Sequence, residues 1–201
     1  MSIGDFEPLH VDVDCYTAAY RVSGSIATRF ERVADIVNLA PASHLVVERA
    51  TVSEYAAPVA TLSAPQVLLA LDELLFLVVG ASRPNARPEM RIPKRAVQAQ
   101  LAIPPFRLTG AVHVSVGSRP LDGLLNVTDR FLPMTDVAIT SGVHEGLDRV
   151  VAALAVQRRL AHLMLVADDE RPDQLLADVL DEETARSWFR RRSGEGEPGA
   201  E

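Results

Sequence analysis

Apolar and polar residues alternate in short runs along most of this chain. Val11, Val13 and Cys15 alternate with His10, Asp12 and Asp14, and Val97, Ala99 and Leu101 alternate with Gln98 and Gln100. A period of two over such lengths predicts half-buried strands. A second strand is expected from Tyr20 to about Thr28, with Val22 and Ile26 bracketing Gly24. A central strand glycine marks a bulge, a bend or a close backbone approach. The segments Arg32–Asn38 and Pro120–Asn126 read as short helical turns with one apolar face, each ended by its asparagine. Third strands follow over Leu45–Val52 and Leu132–Ile139. A variable segment comes next, Ser53–Gln66 or Thr140–Ala152, the latter with a short helix around Glu145–Val151. Closing hairpins are expected at Val67–Ala70 with Leu75–Val79, and at Leu154–Val156 with Ala161–Val166.

The two sets of elements are one pattern stated twice. Tyr20-Arg-Val-Ser-Gly24-Ser-Ile26 returns 86 residues later as Phe106-Arg-Leu-Thr-Gly110-Ala-Val112. Val33–Asn38 aligns with Leu121–Asn126 at 88 residues, His44–Val52 with Phe131–Ile139 at 87, and Val67–Val78 with Ala153–Met164 at 86. Four matches in one order imply an internal duplication. The expected architecture is mainly β: two tandem small, strongly bent β-barrel modules, at 8–80 and 96–168. Each unit holds about 75 residues, near the lower end for a domain, and so needs a neighbour to bury its apolar surface.

Between the modules, 81–95 reads as a stiff proline-rich linker. Its Arg83, Arg87, Arg91, Lys94 and Arg95 stand against the single acid Glu89. After the second module a helix is expected over 169–192, with Leu175, Leu176, Val179 and Leu180 on its apolar face. Acidic residues lie early and Arg190–Arg192 late, as the helix dipole favours. Trp188 and Phe189 on this helix are candidate partner-binding residues. Residues 193–201 read as a disordered tail.

Composition narrows the function classes. The 201 residues carry a formal charge of −7, which argues against broad attraction to nucleic acid. Cys15 is the one cysteine, so no intramolecular disulfide can form. Neither a membrane span nor a signal peptide is legible, and a cytoplasmic location is the expectation. The five histidines, His10, His44, His113, His144 and His162, show no metal-ligand spacing, and no nucleophile elbow or phosphate loop occurs. Cys15, alternating inward with Val11 and Val13, reads as a buried structural thiol. The carboxylate pairs Asp35 with Glu48 and Asp122 with Asp136 read as solvent-facing ends of turns and strands. No catalytic residue, metal or cofactor is predicted.

The order of elements in each copy resembles the Sm-like fold, a small, strongly bent five-stranded barrel that assembles into rings. Gly110, Val112, Asp122, Leu125 and Asn126 follow the order of that family's first motif. Gly24, Ile26 and Asn38 match in the first copy, with Ala34 in place of the aspartate. The second motif is echoed by Val156-Gln-Arg158-Arg159-Leu160 without its glycine, and Leu71-Asp72-Glu73-Leu74 stands there in the first copy. Leu125-Asn126 followed by Phe131-Leu132-x-x-Thr135-Asp136 also looks like a module of bacterial proteins of unestablished function. The Sm-like resemblance implies that Asp122, Asn126 and Arg158, with Arg159 beside them, hold a nucleic-acid base. Separately, Arg91-Ile-Pro-Lys-Arg95 is similar to the Arg-x-x-x-Arg opening of cyclic-dinucleotide-binding PilZ barrels, although that family's downstream Asp/Asn-x-Ser-x-x-Gly is missing.

Two functional readings follow. The first is a non-enzymatic oligomeric scaffold or adaptor that binds itself or another protein. The alternative is a nucleic-acid or nucleotide binder using Asp122, Asn126, Arg158 and Arg159, or Arg91 and Arg95.

Overall fold

A computed structural model of the chain describes residues 8–57, 60–80, 94–116, 119–144 and 146–166. The expected linker over 81–93, with Arg91, lies outside the described residues. So do the expected carboxyl-terminal helix, with Trp188 and Phe189, and the tail.

The described chain is mainly β. Its elements run β1 (Leu9–Tyr16), β2 (Tyr20–Thr28), α1 (Val33–Asn38), β3 (His44–Glu54), β4 (Thr61–Ala70) and β5 (Phe76–Val79). The same order then returns as β6 (Lys94–Ile103), β7 (Phe106–Ser115), α2 (Pro120–Leu125), β8 (Phe131–Ser141), β9 (Arg149–Gln157) and β10 (Leu163–Val166). All ten strands join one antiparallel sheet in the order β10-β6-β7-β8-β9-β5-β1-β2-β3-β4.

The expected pair of separate barrel modules is not what this order shows: among the described residues the two halves share one open sheet, with β10 and β4 at its edges. The expected closing hairpins are not hairpins either. After the turn at Leu71–Glu73 the chain leaves β4, and β5 pairs with β1 on one side and β9 on the other. β10 likewise pairs with β6 and not with its predecessor β9. The helix expected around Glu145–Val151 is also replaced, since Arg149–Gln157 is strand β9. Its β-branched Val150 and Val151 lie opposite Ala138 and Val137 of β8, and the sheet overrides a local helical spacing.

The two glycines do what their positions predict. The β2–β3 register slips between Ser23 and Ser25, and the β7–β8 register between Thr109 and Ala111. A Cβ on Gly24 would lie 2.5 Å from the Glu48 carbonyl oxygen, and one on Gly110 would lie 2.9 Å from that of Thr135. Opposite each glycine the partner strand carries a residue at positive φ, Arg49 at 48° and Asp136 at 52°. Each is a β-bulge that sharpens the strand's bend.

Pairing also fixes how the halves correspond. Val13 faces Gly24 and Ala99 faces Gly110, 86 residues on. Glu48 faces Gln66 and Thr135 faces Ala153, 87 residues on. In the helices, Ile36 N–H donates to Arg32 O and Gly123 N–H to Arg119 O, again 87 apart. Leu39 N–H to Asp35 O and Asn126 N–H to Asp122 O repeat that spacing. The backbone therefore matches Asp122 to Asp35 and Asn126 to Leu39, one residue away from the sequence alignment. Asn126 ends its helix at φ −80°, in the right-handed region, so no left-handed turn is involved.

Two apolar cores flank the sheet, and each takes residues from both halves. One gathers Tyr16, Tyr55, Phe76 and Val78 from the first half with Leu101, Phe106, Leu108, Met134 and Leu154 from the second. The other gathers Val13, Cys15, Ile36, Val47 and Leu77 with Phe131 and Ala155. Side chains alternate across a strand, so β5 and β9, paired at the middle, each send residues to both cores. The halves are thereby joined through packing as well as through the hydrogen-bonded ladder.

Candidate functional site

Three of the predicted site residues, Asp122, Asn126 and Arg158, lie where α2 ends against the turn after β9. Asp122 and Asn126 are both exposed there. Arg158 opens a short 3₁₀ turn, Arg158–Leu160, and its guanidinium donates from Nη1 to the carbonyls of Leu124, at 3.4 Å, and Val127. These carbonyls sit at the helix carboxyl end, where the backbone has unpaired acceptors and a partial negative charge. Arg158 therefore lies against the end of the helix that carries Asp122 and leads into Asn126, and its guanidinium is bonded to backbone.

Arg159 points elsewhere. Its Nη2 donates to Asp72 Oδ1 at 2.8 Å, and Arg130 Nη2 donates to the same oxygen. Asp72 lies on the β4–β5 turn of the first half, so this cluster ties the two halves at the surface. Arg95 sits half-buried on β6. Of the Arg-x-x-x-Arg segment it alone, with Lys94, falls among the described residues.

The proposed carboxylate pairs are separately occupied. Glu48 lies 3.4 Å from His10 across β1 and β3, Asp35 stands in the first turn of α1, and Asp136 occupies the β8 bulge. Cys15 is fully buried, and that burial, helped by the charge of Asp14, pushes its thiol pKa well above the usual range. An inert thiol follows. Among the described residues, no cluster of three or more His, Cys, Asp or Glu is arranged to hold a metal. No described helix is long and apolar enough to cross a membrane.

The polar groups that sequence reasoning missed lie along the junction of β5 with β9. Asn38, read as a turn terminator, uses its side-chain amide on the second half: Nδ2 donates to Phe131 O at 2.9 Å, and Oδ1 accepts from Phe131 N–H at 2.8 Å. Asp14 on β1 accepts from Arg21 Nη2 at 2.9 Å, from Ser23 Oγ at 2.5 Å, and from Arg149 Nη1 of β9 at 2.8 Å. Burial works to raise the Asp14 pKa. The hydrogen bonds from Ser23 and Arg149 and the charge of Arg21 outweigh it and hold the carboxyl below its ordinary value. Arg21 and Arg149 also lie over the Tyr16 ring, at 5.8 and 5.7 Å from its centroid. Tyr16 in turn stacks on Phe76 at 4.4 Å and meets Phe106 edge-on at 5.5 Å. Only the Asp14 alternation was visible in the sequence; nothing local signals a partner 135 residues away.

Comparison with family models, with curated proteins and with solved structures finds no match for this chain.

Proposed function

We propose that this protein is a non-enzymatic oligomeric scaffold or adaptor, built from two copies of one small, strongly bent Sm-like β module. The observation that carries the reading is the β5–β9 splice. Phe76, Leu77 and Val78 pair with Val156, Ala155 and Leu154, so that one module's last strand extends its neighbour's sheet. A module that joins its neighbour in this way is a unit of assembly. The arginines of the predicted ligand corner and Asn38 support the same reading, because they are engaged in holding structure. Arg158 binds helix carbonyls, Arg159 and Arg130 bind Asp72, and Asn38 binds the backbone of Phe131.

The rival, a nucleic-acid or nucleotide binder using Asp122, Asn126, Arg158 and Arg159, has less support. Its arginines would have to leave these partners, and the aromatic residues Tyr16, Tyr55, Phe76 and Phe106 are buried in a core where no base can stack. Native mass spectrometry of the full chain separates the two. The scaffold reading expects a defined multiple of the 21.8 kDa chain with no added mass. A species carrying bound nucleotide or RNA overturns it.

A further inference from the structure

The central junction has a donor side and an acceptor side. The first half supplies β5 and α1; the second half supplies β9 and the start of β8. Because the halves correspond, the chain carries a second donor side, β10 with α2, and a second acceptor side, β4 with the start of β3. Within the described residues neither is covered.

The acceptor side shows this clearly. Phe131 and Ala155 point away from their own half and into the first half's core, both fully buried. Their counterparts 87 residues earlier are His44, which is exposed, and Leu68, which is 71% exposed. Val46, the next outward residue of β3, is 42% exposed. Meanwhile Val67 and Leu69, counterparts of Leu154 and Val156, pack into their own core as the junction pattern requires. The edge strand β4 is ten residues long and bears no charge; its one blunting residue is Pro65, which precedes the Val67–Leu69 stretch.

The donor side matches it. On α1 the face toward β8 carries Asn38, with Ala34 one turn earlier. The equivalent face of α2 carries Leu121 and Leu125, 59% and 77% exposed. On β10, Met164 packs on its own core like its counterpart Leu77. Leu165 corresponds to Val78, which is 2% exposed at the junction, yet Leu165 is itself half-exposed.

We propose, building on the scaffold reading, that copies of this chain join head to tail by repeating the internal junction. β10 of one copy pairs antiparallel with β4 of the next, Met164 opposite Leu68 and Leu165 opposite Val67. α2 of the first copy seats Leu121 and Leu125 against His44, Val46 and Leu68 of the second. Charge is compatible with this docking: Arg159 holds the turn position of Asp72, so it meets the neighbour's Asp72 where Asp72 meets Arg130 and Arg159 within the chain. Such an interface joins two different surfaces, so it generates a closed ring or a filament, never an isologous pair.

The test uses the full chain carrying Leu68→Cys in one preparation and Met164→Cys in another, with Cys15 shielded by burial. A short bis-maleimide is added to each preparation and to their mixture. The expected result is a cross-linked dimer in the mixture alone. Analytical ultracentrifugation of Leu68→Lys and Leu125→Lys should then give single 21.8 kDa chains, with the circular dichroism of the unaltered protein. A cross-linked dimer from Leu68→Cys alone means edge-to-edge pairing of two β4 strands and overturns the head-to-tail arrangement. An oligomer unchanged by both lysines, with no dimer in the mixture, overturns this interface and leaves the scaffold reading standing. An unaltered protein that is a single chain at all concentrations overturns both.

Discussion

The amide of Asn38 closes a two-bond ring on the backbone of Phe131, a residue 93 positions away and fully buried. This contact fixes the carboxyl end of α1 to the start of β8, so the two halves are held by backbone recognition beside the apolar splice. Asn38→Ala removes a donor and an acceptor from buried partners, a change that costs about 1–3 kcal/mol. Chemical denaturation should show a lower midpoint with the slope unchanged. A midpoint within error of the unaltered protein would show that the clamp contributes nothing.

Gly24 and Gly110 differ in how tightly they are held. A Cβ at Gly24 meets the Glu48 carbonyl oxygen at 2.5 Å and Val47 Cγ1 at 2.7 Å, whereas one at Gly110 has its nearest contacts at 2.9 Å. Backbone oxygen cannot swing aside as a side chain can. Overpacking of this kind costs about 1–3 kcal/mol. Gly24→Ala should therefore lower the melting temperature more than Gly110→Ala, with both below the unaltered protein. The reverse order would mean that the first bulge relaxes more easily than its geometry implies.

These same glycines show what a sequence can disclose. Strand periodicity at Val11–Cys15 and Val97–Leu101, the bulges and the two short helices were all legible, because each depends on residues close together in the chain. The destination of β5 was not. Leu71–Glu73 reads as a hairpin turn, and nothing in Phe76–Val79 says that these residues pair with β1 and β9 instead of β4. Register was out of reach for the same reason. Aligning Asn38 with Asn126 by identity is natural, but backbone hydrogen bonds align Asn126 with Leu39. Arg158 and Arg159 stand in the sequence as candidate ligand-binding cations, because nothing local signals their partners: carbonyls 31 and 34 residues away and an aspartate 87 away.

The Asp14 network gives stability a defined pH dependence. Its folded pKa lies below the ordinary 3.8. A carboxyl depressed by folding stabilises at pH above its unfolded value, and that stabilisation disappears as pH falls through the folded value. Asp14→Asn should thus lower unfolding free energy at pH 7 by about 2 kcal/mol, the scale of buried hydrogen bonds to a charged group. The gap between the two proteins should narrow below about pH 4, where the unfolded carboxyl protonates, and close as pH falls through the lower folded value. Denaturant titrations at pH 7 and pH 3 read both quantities. A gap equal at the two pH values would remove the network from the account.

Tyr16 offers a substitution expected to be harmless although the residue sits fully buried among Phe76 and Phe106. Its ring is well placed, stacked at 17° to Phe76 and approached by two guanidinium groups. Its hydroxyl is not: among the described residues no group hydrogen bonds to the buried Tyr16 oxygen. Burial raises the phenol's pKa, so the group stays neutral. An unpaired buried hydroxyl is a liability of about 1–3 kcal/mol, and removing it keeps the ring and its contacts. Tyr16→Phe should therefore match or exceed the unaltered protein in thermal stability, whereas Tyr16→Ala should lose about 3–5 kcal/mol through the cavity it opens. A Phe variant as unstable as the Ala variant would mean that the hydroxyl, and not the ring, ties β1 to the second core.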